Sequence, residues 1–187
     1  MMLRVFPLLT LLFFSSSGFA LPTTARYQVD VIVFTHAYTA NDQQENAPPL
    51  TLTHDARHAI PLQPHDTPGT RTYRLMPISS SSLRNEWSRL NQQSQYRALF
   101  HYTWLQPSNN QHPIALSARL NNGWSVEGTL RVRQSNYYLL DTDLRFSAPN
   151  NHQPAFVFSQ KQRLKPGCTY YLDHPQAGML INVHRVA

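Results

Sequence analysis

Asp173 and His174 stand side by side in "YYLDHPQAGMLINVHRV", residues 170–186, and a carboxylate beside an imidazole is raw material for acid–base chemistry. A working dyad also needs a nucleophile, and adjacent residues on a strand point to opposite sides. A structural role competes with it. Asp173 can bond its following backbone and start a turn. Pro175 fixes its own φ and keeps His174 extended, and Gly178 can take a positive φ before the closing strand. The expectation is that Asp173, His174, Pro175 and Gly178 shape a turn and that nothing here is catalytic. Three histidines suggest a second chemistry. His54 and His58 at i, i+4 would share a metal if the segment were helical, with His65 following. Prolines crowd that segment, however, and no HExxH or acidic cluster accompanies it. The serines at 79–82 fit neither GxSxG nor SxxK and read as a helix start. The chain is expected to be no enzyme and to need neither metal nor cofactor.

Binding is the better-supported class. The chain carries 16 Lys and Arg against 10 Asp and Glu, a formal charge of +6. Only Lys161 and Lys165 are lysines; the rest are arginines, whose planar fork matches carboxylate and phosphate. Aromatic and His side chains at strand edges, with arginines nearby, can stack on sugars and hold carboxylates.

The start of the chain sets the compartment. Met1 to Arg4 is short and basic, an apolar run follows to Phe14, and Gly18 and Ala20 fit peptidase cleavage after Ala20. Residues 1–20 are therefore expected to be a signal peptide that exports the chain to the periplasm. The apolar run is shorter than the roughly 20 residues of a bilayer span, so no membrane helix is expected to be retained. Anionic lipids, lipopolysaccharide and peptidoglycan carboxylates are then candidate partners, and nucleic acid is not. The single cysteine, Cys168, cannot form an internal disulfide and is expected to be buried as a small hydrophobe.

Strands dominate the pattern. "RYQVDVIVF" at 26–34 alternates and then turns apolar on both faces, as a strand inside a sheet does. From 39 to 70 prolines break every period, which predicts an irregular insert. "SSSSLRNEWSRLNQQSQ" predicts the one helix, about 80–93, capped by Ser82, with Leu83, Trp87 and Leu90 as its apolar stripe. In "YRALFHYTWLQP", strict alternation puts Tyr96, Ala98, Phe100, Tyr102 and Trp104 on one face. "VEGTLRVRQSNYYLLDTDLRF" predicts a hairpin with its turn at 135–137. That register sets Glu127 opposite Arg145 and Arg131 opposite Asp141, and opposite charges favour it by roughly 0.2–1 kcal/mol per pair. The expected fold is α+β: a mostly antiparallel sheet with one helix packed on a face, in a single domain spanning 21–187.

Four blocks carry a family resemblance: "YQVDVIVF", "YRALFHYTWLQP", "EGTLRVRQSNYYLLDTDLRF" and "FSQKQRLKPGCTYYLDHPQAGMLINV". In order and spacing the chain resembles the CsiV family of periplasmic peptidoglycan-binding proteins. Two positions depart from the family pattern, Gln162–Arg163 where an Arg-Arg pair is usual and Tyr170 where a histidine is. The resemblance implies a non-enzymatic protein that binds peptidoglycan and supports wall assembly and cell shape. On that reading Arg131, Lys161, Arg163 and Lys165 would meet peptide carboxylates, and exposed aromatics such as Trp124 would meet glycan. Two rival readings stand beside it. One is an interaction module that regulates a cell-wall synthase without touching the wall; the other is a metal-dependent hydrolase using the histidines.

Overall fold

The structure, a computed structural model, describes residues 25–36, 57–69, 72–119, 123–148 and 156–186. The expected signal peptide, His54, and residues 39–56 and 70 of the expected insert lie outside these. Within the described part of the insert, Ile60–Pro61 forms a two-residue strand (β2), and Gln63 bridges to Arg74.

Strand β1, Arg26–His36, is buried along nearly its whole length, as its two apolar faces require. It lies antiparallel between β3, Tyr96–Pro107, and β9, Ala177–Val186. Strand β8, Thr169–His174, pairs with β9 and completes a sheet of order β3-β1-β9-β8. A second sheet has the order β2-β4-β5-β6-β7, with β4 at Ile114–Arg119, β5 at Ser125–Gln134, β6 at Tyr138–Ser147 and β7 at Phe156–Leu164. All its pairs are antiparallel except the short β2–β4 contact. The fold is α+β and mostly antiparallel, as the patterning predicts.

The β5–β6 register is the one that the charges select. Glu127 faces Arg145, Arg131 faces Asp141, and the strands close at Gln134 and Tyr138 around a turn at 135–137. Arg131 Nη2 donates to Asp141 Oδ2 at 2.8 Å. Inward residues of this hairpin, among them Val126, Leu130, Val132, Leu140, Leu144 and Phe146, meet Val29, Val31, Val33, Met179, Ile181 and Val183 of the first sheet in one core. A polar seam crosses that core. Tyr27 donates its hydroxyl to Val132 O at 2.7 Å, and Gln106 Nε2 donates both to Tyr27 Oη and to Val132 O. A buried carbonyl thus finds donors from the facing sheet, which fixes how the two layers align.

Strict alternation fails in β3. Val33 pairs with Phe100 but Phe34 pairs with Ala98, so Leu99 is an extra residue, a β-bulge. The bulge reverses facing. Phe100 and Trp104 enter the core between the sheets, whereas Tyr96 joins Phe34 and Leu180 on the outer face. Tyr96 therefore does not share a face with Tyr102.

The helix, α1 at Arg84–Gln92, packs on that outer face through Leu83, Trp87 and Leu90 against Ile32 and Phe34. Its start differs from the expected Ser82 cap: no side chain caps it in the usual way. Ser82 instead gives both its N–H and its hydroxyl to Asp30 Oδ2, at 3.0 and 2.6 Å. Ser81 Oγ accepts from Leu83 N–H at 3.0 Å. A buried carboxylate is an acceptor with no donor of its own, and it draws the serine toward the sheet and away from its own helix.

Candidate functional site

Strand alternation brings three of the four predicted cations together. On the outer face of the second sheet, Arg133, Leu139 and Arg163 form one cross-strand row, and Arg131, Asp141 and Lys161 form the next. A shallow depression of about 340 Å³ is lined by Arg131, Arg133, Lys161, Arg163 and Asp141 among others. A second, of about 240 Å³, runs on past Asp143, Thr129 and Ser159. Lys165 lies just past the end of β7, exposed and outside both linings.

The cations are not equivalent. Arg131 is engaged by Asp141. Lys161 and Arg163 are exposed and pair with no acid among the described residues, and the Arg163 guanidinium lies 5.3 Å from the centre of the Tyr137 ring. Arg133 Nε is buried with no acceptor among the described residues, a donor that such burial seldom leaves unmet. Sequence reasoning misses Arg133, although the alternation that selects Arg131 places it on the same face.

The two halves of the Asp-His pair point apart. His174 turns inward between the sheets, stacked on Phe156 with ring centres 4.9 Å apart, and its Nδ1 accepts from Gln176 N–H at 3.2 Å. The turn is thus held by His174 and not by Asp173. Asp173 faces outward and accepts the Tyr171 hydroxyl at 2.5 Å. Gly178, opposite Asp173, has no positive φ. It is needed for space instead, since a Cβ there would collide with Phe34 Cζ and lie 2.8 Å from Tyr171 Cε2.

Around this glycine runs a row of rings that crosses all four strands of the first sheet. Tyr171 on β8 stacks on Phe34 of β1 with centres 6.1 Å apart and planes 11° apart. Tyr96 on β3 meets Phe34 edge-on at 5.3 Å and His36 at 5.7 Å. His36 Nδ1 donates to Pro175 O at 3.0 Å, which leaves Nε2 as an acceptor. Tyr171 is 53% exposed despite these contacts. Desolvation, then its bond to Asp173, push its phenol well above the ordinary range, so the hydroxyl stays a donor.

Ser81, His101 and Asp30 lie near one another and invite comparison with a catalytic relay. His101 Nε2 and Ser81 Oγ are 2.7 Å apart. Asp30, however, directs its oxygens to Gln28, Thr103 and Ser82 and makes no bond to His101. Ser81 is buried. The arrangement anchors the helix start to the sheet.

Two expectations are corrected. Trp124 is only 8% exposed, set edge-on to Phe156 in the core, because the residues just before β5 fold inward; it offers no surface to a glycan. Cys168 is exposed, since it sits in the turn between β7 and β8 and not within a strand. Among the described residues, no three His, Cys, Asp or Glu side chains are grouped to hold a metal, and no helix is long and apolar enough to cross a membrane. His58 and His65 are both exposed, and His65 Nδ1 meets Leu75 O at 3.2 Å.

Neither the curated proteins nor the solved structures contain a match to the chain. A family model described as "Peptidoglycan-binding protein, CsiV" matches residues 5–186, nearly the whole length. That span takes in both sheets, the helix, the basic face and the Tyr171–Asp173 turn, and the chain belongs to the CsiV family of peptidoglycan-binding proteins.

Proposed function

We propose that this protein is a non-enzymatic peptidoglycan-binding protein of the periplasm, exported through residues 1–20, which supports wall assembly and cell shape. The observation that carries the reading is the basic depression on the second sheet. Four cations line it, Lys161 and Arg163 are exposed without an acidic partner among the described residues, and Arg133 holds a buried N–H with no acceptor there. Stem peptides of the wall end in carboxylates, which accept paired N–H bonds from arginine. Arg131 plays a different part. Its bond to Asp141 orders the face, while Lys161 and Arg163 supply the attraction.

Co-sedimentation of the purified protein with isolated sacculi tests the reading. Wild type should pellet at low salt and less at high salt, because exposed charge pairs are screened beyond about 10 Å at 0.1 M. The double variant Lys161→Glu, Arg163→Glu should bind roughly thirtyfold more weakly, from about 1 kcal/mol for each exposed pair lost. Failure to pellet at any salt would overturn wall binding and favour a protein partner such as a cell-wall synthase.

A further inference from the structure

The row of rings on the first sheet lies on the opposite outer surface from the basic depression, and turn-shaping does not explain its form. A turn between β8 and β9 needs neither an exposed tyrosine nor a carboxylate set at its hydroxyl. We propose that Tyr171, Asp173, His36 and Tyr96 form a saccharide subsite for the glycan strand of peptidoglycan, with Tyr171 as its stacking platform. This rests on the wall-binding reading above and adds the part of the polymer that this face takes.

The chemistry of such a ligand is specific. A pyranose ring presents an apolar C–H face and a polar rim, and an N-acetylhexosamine adds an amide N–H to that rim. An aromatic ring packs against the C–H face, and an acceptor beside the ring takes hydroxyl and amide protons. Tyr171 supplies a ring that remains 53% exposed while being held at two points, by the offset stack on Phe34 and by its bond to Asp173. Such a surface is already ordered and loses little conformational freedom when a ligand arrives. Asp173 is exposed, its carboxylate is acceptor-only, and the Tyr171 hydroxyl is the one hydrogen-bond partner of that carboxylate among the described residues. His36 offers Nε2, its tautomer fixed by Pro175 O. Ring centres lie 6.1 Å apart from Tyr171 to Phe34 and 5.3 Å apart from Phe34 to Tyr96, so the row can face more than one sugar.

Gly178 ties the platform to the sequence. The glycine lets Phe34 and Tyr171 lie over β9, where any side chain would displace both rings. The motif "YLDHPQAG" thus builds a surface with its outward residues, Tyr171 and Asp173, while His174 secures the turn inside.

The test uses peptide-free glycan strands of alternating N-acetylglucosamine and N-acetylmuramic acid, each lactyl carboxyl blocked as an amide as it is in the wall, with a neutral glucan of equal length as control. Binding is followed by calorimetry and by tyrosine-region NMR shifts at high salt, where the basic face contributes least. Wild type should bind the wall glycan, and the glucan only weakly. Tyr171→Ala should lose about tenfold, the upper range of one aromatic contact, and Asp173→Asn should lose a smaller factor. Tyr171→Phe should stay close to wild type, because it keeps the ring. Tyr171 is exposed, so unchanged melting of the variants will show that folding is intact. Equal affinity of Tyr171→Ala and wild type for the glycan would overturn the proposal, as would equal binding of the glucan. If wild type ignores peptide-free glycan yet pellets with sacculi, the saccharide subsite fails while wall binding survives. If it does neither, both readings fall.

Discussion

Replacing Asp30 with alanine removes a fully buried carboxylate on which four donors converge. Gln28 Nε2 and Thr103 Oγ1 each lie 2.9 Å from Oδ1, and Ser82 N and Oγ lie 3.0 and 2.6 Å from Oδ2. The donors do not suffer equally. Ser82 is exposed, so its hydroxyl re-forms bonds with water, and Gln28 keeps a bond to Ser80 O. Thr103, 1% exposed, is stranded. The N-terminus of α1 also loses its tether to the sheet. Stranding a buried donor and losing the bonds that tether the helix together destabilise by about 2–4 kcal/mol. At this chain length each kcal/mol lowers Tm by roughly 2–4 °C, so Tm should fall by about 4–16 °C. Urea unfolding followed by tryptophan fluorescence measures the loss directly, because Trp87 on the helix rests on His101. Asp30→Asn keeps an oxygen for Gln28 and Thr103 but turns an amide toward the Ser82 donors, and it should fall between the two. A loss below about 1 kcal/mol for Asp30→Ala would refute the argument that this carboxylate anchors the helix.

Two further outcomes follow from the same face. Burial holds the pKa of His101 below its ordinary value of 6.5, against the pull of Asp30 and Glu86. The folded state therefore favours the neutral ring. Its stabilising contribution is complete above the unfolded pKa and is lost as pH falls below that value toward the folded pKa. Between about pH 7.5 and about pH 5, the urea midpoint of wild type should drop more than that of His101→Gln; parallel curves would exclude His101 as the cause. Gly178→Ala drives a methyl into the ring of Phe34, 2.7 Å from its Cε2, and Phe34 is itself 3% exposed and unable to yield. Overpacking of this kind costs about 1–3 kcal/mol, and the near-UV circular dichroism of the displaced rings should change with it. Unchanged melting and spectrum would show that the rings do not lie as described.

The hairpin of β5 and β6 is readable in the sequence because two independent signals agree on it. Alternation fixes which residues share a face, and Glu127–Arg145 with Arg131–Asp141 removes the remaining ambiguity of register. No such redundancy protects β3, where the inserted Leu99 leaves composition unchanged and shifts Tyr96 to the other side. The fate of Asp30 is hidden for a related reason. Gln28 and Asp30 look like a solvent-facing polar stripe, and only the arrival of the helix start and Ser82 makes that stripe interior. Trp124 and Cys168 are misplaced by sequence alone because one residue before a strand and one in a turn carry almost no periodic signal. Lys161 and Arg163 sit two apart on the edge strand β7, where alternation alone puts both outside.

The same period of two decides the Asp173–His174 question. Adjacent residues on β8 cannot face one partner, so this pair was never free to act as a dyad, whatever the acidity of either group. The split does more than keep the two side chains apart. It lets one short motif serve two surfaces, with His174 bonding the turn and covering Phe156 inside while Asp173 sets the hydroxyl of Tyr171 outside. A sequence constrained only by the turn would tolerate serine or asparagine at 173 and any strand-forming residue at 171. On the saccharide reading proposed above, the tyrosine, the carboxylate and the space at Gly178 build one surface, and a sugar ring matches it better than a peptide carboxylate, which Asp173 would repel.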